Sequence, residues 1–230
     1  MKKKDNLFFL TIEALHRSGA LDELILIGSW CHYFYRGYFN DAPEIPAVRT
    51  LDIDFLVPNP RNIKKTINIP KILESLGFDR MQNSMTGYTK YVHPELEVEF
   101  LTPDLGRGHG SKPYEIPELH INAQGLRYLN LFKGHITTVK YRTSEVRLPE
   151  PAAYVLHKFI VFERRAKKEK MKRDLKAAKD IGEFLLKDAK QRAQLKTIFA
   201  ELPKKWQKTI INNLKKHSTT LYNFFINNKT

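Results

Sequence analysis

Residues 51–57 read Leu-Asp-Ile-Asp-Phe-Leu-Val, a pattern that few folds accommodate. Successive side chains of a strand point to opposite faces, so Asp52 and Asp54 share one face while Leu51, Ile53, Phe55 and Val57 share the other. A merely solvated face would carry a polar residue at position 56, where the chain has Leu. The acids therefore lie at one end of a strand that is otherwise apolar on both sides. Two carboxylates held so close repel each other and call for a compensating cation. A divalent metal with oxygen ligands is the economical choice, and Mg²⁺ commonly uses one or two carboxylates together with substrate phosphates.

A second segment repeats the device. In Leu96–Thr102, Glu97 and Glu99 share a face opposite Leu96, Val98 and Phe100. Taken alone, either pair reads equally well as the polar face of a half-exposed strand. Should the two strands lie side by side with their acids facing the same way, three or four carboxylates converge. A third element precedes both: the apolar run Leu24–Ile27 stops at Gly28-Ser29, and a helical segment follows. A small, permissive turn at a helix start offers backbone N–H groups and the positive end of the dipole to a phosphate.

Around these elements the sequence predicts helix over 5–17 with Asp5 as its cap, a loop over 40–49, and helix over 61–76 with a break or a new start near Pro70. Residues 86–102 form a hairpin or paired strands, and ITTVKY and EVRLP add two more strands. In Leu105–Lys112, glycine at every second position makes a flexible loop. It serves as a mobile connection, or as a lid whose Arg107, His109 and Lys112 reach an anionic ligand. From Glu150 onward glycine nearly disappears and the period is helical through 187, then at 189–201, 203–217 and 218–227. The expected organisation is an α/β (α+β) domain over 1–149, with a small mixed sheet flanked by helices, and a basic helical domain over 150–230.

Charge follows the same division. Residues 1–150 hold 19 Lys/Arg and 18 Asp/Glu, whereas residues 151–230 hold 20 and 7, so nearly all of the net +14 lies in the last third. Such asymmetry suits an anionic partner, or else a Lys-rich surface that favours solubility. The single cysteine, Cys31, excludes an internal disulfide and reads as a small buried hydrophobe. No apolar run approaches the roughly 20 residues of a membrane span, and the expected setting is cytoplasmic, away from membranes. Eight histidines without H-x-H or H-x-x-x-H spacing speak against zinc, and no P-loop or dinucleotide glycine pattern occurs.

The order of apolar strand, Gly-Ser, helix, Asp-x-Asp strand and acid-bearing third strand over residues 21–102 resembles the nucleotidyltransferase superfamily typified by DNA polymerase beta. The resemblance implies transfer of a nucleotidyl group from an NTP to an acceptor hydroxyl, with two Mg²⁺ ions (or Mn²⁺) as cofactors. It implies that Gly28 and Ser29 contact the β- and γ-phosphates and that Asp52, Asp54 and Glu99 are the catalytic metal ligands, with Glu97 in reserve for Glu99. Here Asp52 follows Ser29 by 23 positions, so Asn40–Thr50 reads as an insertion, and the third acid is Glu rather than Asp. Residues 147–185 look like the corresponding segment of AbiEii-type toxin nucleotidyltransferases. That likeness implies a nucleotide contact from Lys158, matching positions at Arg164 or Arg165, Asp174 and Lys179-Asp180, and an antitoxin as a partner. Lys158 also sits amid Val-Leu-His-Lys-Phe-Ile-Val-Phe, where an unpaired ammonium would be costly. RNA, a protein or a small molecule would be the acceptor; the competing expectation is a catalytically silent module that binds nucleic acid or a partner protein.

Overall fold

The computed structural model describes residues 3–45, 50–104, 112–164 and 167–227. They form two compact units: Met1–Phe34 with Val48–Pro149, and Tyr35–Ala47 with Glu150–Thr230. The first unit is a mixed α/β structure. Its sheet runs β1 (Ile25–Ile27), β2 (Asp52–Leu56), β5 (Leu96–Pro103), β4 (Thr89–His93), β3 (Asp79–Gln82) from edge to edge. β2 and β5 are parallel, while β1–β2, β5–β4 and β4–β3 are antiparallel. The buried face holds Ile53, Phe55, Val98 and Phe100, with the rings of Phe55 and Phe100 stacked at 6.0 Å between centroids.

β5 changes neighbour along one side. Its first half pairs with β4, and its last residues, Leu101–Pro103, run parallel to β7 (Ile121–Leu126), which pairs in turn with β6 (Tyr114–Ile116). Buried backbone groups at such a fork still need partners. The Tyr88 hydroxyl donates to the Phe100 carbonyl at 3.0 Å, and the Asn122 side chain accepts from the Thr89 N–H and donates to the Gly87 carbonyl. A hairpin of β8 (Ile136–Tyr141) and β9 (Ser144–Pro149) completes the unit with α1 (Lys3–Arg17).

The second unit is helical: α4 (Pro151–Val161), α5 (Lys168–Leu185), α6 (Ala189–Glu201), α7 (Lys204–His217) and α8 (Thr219–Ile226). No helix among the described residues is long and apolar enough to cross a membrane.

Several expectations need correction. The first helix begins at Lys3, so Asp5 is inside it rather than capping it. The helix expected over 61–76 shrinks to α3 (Ile69–Glu74), because Asn68 caps it by accepting from the Lys71 N–H and Pro70 lies in its first turn. The helix expected to run through 187 is interrupted after Val161 by a 3₁₀ turn at Phe162–Arg164. β3, β6 and β7 were not expected; β3 (Asp-Arg-Met-Gln) is exposed throughout and carries no alternating signal. Residues 105–111, including Arg107 and His109, and Arg165 lie outside the described residues, whereas Lys112 is exposed.

Two glycines separate packing from propensity within the second unit. A Cβ on Gly182 of α5 would stand 2.7 Å from Leu221 Cδ1 and 3.2 Å from Val155 Cγ1, whereas one on Gly37 of α2 (Cys31–Tyr38) meets nothing within 4 Å. Gly182→Val should therefore lower stability by about 1–3 kcal/mol through overpacking. Gly37→Ala should raise it by up to about 1 kcal/mol through helix propensity. Thermal or urea unfolding measures both, and equal signs for the two variants would refute the packing account.

Candidate active site

The register of β2 against β5 determines what the acids do. Asp52 lies opposite Glu97 and Asp54 opposite Glu99, so all four carboxylates project from one face of two adjacent parallel strands. Each is half-buried. One oxygen from each of Asp52, Glu97 and Glu99 falls within a span of 4.8 Å, a set suited to a single cation. Both candidates for the third acid lie on this face, Glu97 beside Asp52 and Glu99 beside Asp54.

Asp54 stands against the Gly-Ser turn instead. Ile27, the last residue of β1, pairs with Asp54, and the chain then turns through Gly28 with φ +78° into a 3₁₀ turn, Gly28–Trp30, before α2 begins. A Cβ on Gly28 would collide with Asp54 Oδ2. Glycine is required there twice, for its left-handed backbone and for the closeness of the carboxylate. The turn is fixed from below by Trp30, whose buried ring stacks on Phe8 at 3.8 Å, and by Cys31, whose thiol donates to the Leu26 carbonyl. The Ser29 hydroxyl shares a 2.8 Å hydrogen bond with the hydroxyl of Thr50, which donates to the Asp52 carbonyl at 3.1 Å. Thr50 thereby ties the turn to the start of the acidic strand.

A cation is already among the acids. Lys90 of β4 forms an ion pair with Glu99 and lies 3.8 Å from Glu97. Burial acts to lower its pKa, but the bond to Glu99 and the charges of Glu99, Glu97 and Asp52 outweigh it and hold the ammonium above its ordinary value. Tyr88, beneath the cluster, is pushed far above the ordinary tyrosine range, first by burial and then by the charges of Glu99 and Asp54. Its hydroxyl stays protonated and keeps donating to Phe100. Burial likewise pushes Tyr91 up to about 12.

Neither Thr50 nor Lys90 stood out in the sequence as a site residue. Thr50 shares the parity of Asp52 and Asp54, and Lys90 falls opposite Glu99 once the hairpin register is drawn; these were the signals available. Lys158 belongs to the second unit, where its ammonium pairs with Asp174 at 2.6 Å and lies 5.3 Å from the Tyr154 ring centre. The cost of burying that ammonium is met by Asp174. Asp180 pairs with Lys176 at 2.7 Å, and Arg164 is exposed.

A family model described as nucleotidyltransferase matches residues 9–207. The chain belongs to that family. No curated protein matches this nucleotidyltransferase. Among solved structures, it is similar to the antibiotic-resistance factor ANT(2'')-Ia in solution, with 13% identity, TM-score 0.45, 85% of this chain covered and 90% of that one. It is also similar to a crystal structure of an antigenic nucleotidyltransferase-like protein from Paracoccidioides brasiliensis, with 15% identity, TM-score 0.47 and 94% of each chain covered.

The crowding of Gly28 against Asp54 gives a direct prediction. Gly28→Ala should cost about 1–3 kcal/mol, from backbone strain and from displacement of the carboxylate. In an Asp54→Ala background the same change should cost distinctly less, because only the backbone strain remains. A double-mutant cycle read by chemical denaturation measures the difference; additive losses would mean that the two residues do not compete for space.

Proposed function

We propose that this nucleotidyltransferase is metal-dependent and moves a nucleotidyl group from an NTP to an acceptor hydroxyl. The observation that carries the reading is the convergence of Asp52, Asp54, Glu97 and Glu99 on one face, beside the Gly28–Ser29 turn. The donor set fits Mg²⁺ or Mn²⁺, since it offers only carboxylate oxygens, at mutual distances one cation can span. Asp52, Glu97 and Glu99 would hold one ion, and Asp54 with Glu99 a second. A divalent ion there would neutralise triphosphate charge and favour ionisation of the acceptor hydroxyl. Backbone N–H groups after Gly28, with the Ser29 hydroxyl held by Thr50, are suited to orient the β- and γ-phosphates. The acceptor oxygen attacks the α-phosphorus, the bond to the bridging oxygen breaks, and pyrophosphate leaves. Lys158 remains a proposed phosphate contact, and to serve as one its ammonium must exchange Asp174 for the nucleotide.

Asp52→Asn combined with Asp54→Asn should abolish Mg²⁺-dependent NTP binding while leaving the melting temperature unchanged or higher, because repulsion within the carboxylate pair is relieved. Isothermal titration calorimetry with each Mg·NTP tests it. Unchanged affinity in the double variant would rule out this site.

For the acceptor, the charge of the helical domain proposed over 150–230 favours RNA over a protein or a small molecule. Within residues 151–230, 20 Lys/Arg face 7 acids. If five phosphates are neutralised, single-strand affinity should fall with a log–log salt slope of about −3.5. Filter binding at several salt concentrations reads it, and no binding at low salt would turn the search to a protein or small-molecule acceptor. The same charge supports the silent-module reading, which the absence of any nucleotidyl transfer alongside steep salt dependence would favour. We also propose an AbiEii-type toxin role with an antitoxin partner, on the likeness of residues 147–185; growth arrest on expression, relieved by an adjacent reading frame, tests it.

A further inference from the structure

Lys90 is placed in the acid cluster by strand register. Tyr91 of β4 lies opposite Val98 and Val92 opposite Glu97, so one further step puts Lys90 across from Glu99, which is itself across from Asp54. Asp54, Glu99 and Lys90 thus form a row over three strands, with Asp52, Glu97 and Val92 in the next row. The flanking residues Thr89 and Tyr91 are buried on the other face, while the Lys90 side chain is 38% exposed on the acid face. An ammonium is a compact point charge with three donors, able to sit among carboxylates as an ion does.

We propose that Lys90 is a built-in counter-ion of Glu99 and Glu97 and competes with a divalent cation for them. The inference rests on the metal-dependent reading above. Glu97 and Glu99 together carry more negative charge than the single Lys90 ammonium they share, which leaves attraction for a divalent ion. The Glu99 oxygen that binds Lys90 cannot at the same time give its full charge to a metal, so loading the site requires Lys90 to move off Glu99. Lys90 is therefore a positioning residue: it keeps Glu97 and Glu99 close to Asp52 before a cation arrives, and it lowers the affinity of the empty site. A unit charge a few ångströms from a divalent ion, partly screened at a surface, alters affinity by about tenfold to a hundredfold.

The test is Mn²⁺ binding to the full chain without nucleotide, by calorimetry and by electron paramagnetic resonance of free Mn²⁺. Lys90→Met and Lys90→Gln should bind Mn²⁺ about tenfold or more tightly than the parent, and Lys90→Arg should stay near it. The neutral variants should melt at lower temperature than the parent without metal and gain more from Mn²⁺. Circular dichroism establishes folding, and a Met variant that folds only with Mn²⁺ would be the same result in stronger form. Equal or weaker Mn²⁺ affinity in the folded Met and Gln variants, with measurable binding by the parent, would overturn the competition and leave the metal site standing. No Mn²⁺ binding by any form would overturn both.

Discussion

The parallel pairing of β2 with β5 is the constraint on which the rest of the first unit depends. It is secured at both ends, by the Glu97 N–H donating to the Leu51 carbonyl and the Val57 N–H donating to the Leu101 carbonyl, each at 2.8 Å. A slip of β2 by one residue would turn Asp52 and Asp54 into the core and Ile53 and Phe55 outward, and a slip of β5 would do the same to Glu97, Glu99, Val98 and Phe100. Burying each of those side chains stabilises the fold by about 1.5–3 kcal/mol, whereas a pair of carboxylates about 4 Å apart in a largely aqueous setting repels by about 1 kcal/mol. The apolar face therefore wins, and the acids converge as a consequence of packing behind them.

That balance changes what the acidic pattern in the sequence means. Repulsion between Asp52 and Asp54 called for a cation, and a metal was the economical choice. The structure supplies part of the answer from its own chain, in Lys90. The second unit follows the same rule on a smaller scale, with Lys158 buried in an apolar helix and matched by Asp174 sixteen residues later. A buried ammonium of this kind is tolerated because it is paired, and removing Asp174 would take away the carboxylate that matches it.

Much of this was legible from residue order. Alternation in 51–57 and 96–102 identified two strands with acids on one face, and the break at Gly28-Ser29 marked the turn beside them. What stayed hidden depends on pairing between distant segments. The value of Lys90 appears only when β4 is set against β5, and that of Thr50 only when β1 is set beside β2. β7 was obscured by Asn122 and Gln124, whose polarity hides a strand that pairs on both edges; Asn122 is polar because the fork between β4 and β7 needs its amide. Of the helix expected over 61–76 only the part from the new start at Pro70 forms, because Asn68 and Pro70 make a helix start and the residues before them are not helical.

The contact between Gly28 and Asp54 has an evolutionary side. As long as the carboxylate at 54 is retained, position 28 can accept no side chain without moving it, so the glycine is held in place by its neighbour as well as by its backbone angle. Were a lineage to abandon the acid, that steric veto would lapse, and Asn or Asp, which tolerate a positive φ, could drift into position 28. The two sites should therefore decay in order, acid first and glycine second. A descendant with a side chain at 28 and an intact Asp at 54 should be the rarest of the four combinations, and glycine without the acid should mark a copy in which the acid was lost recently.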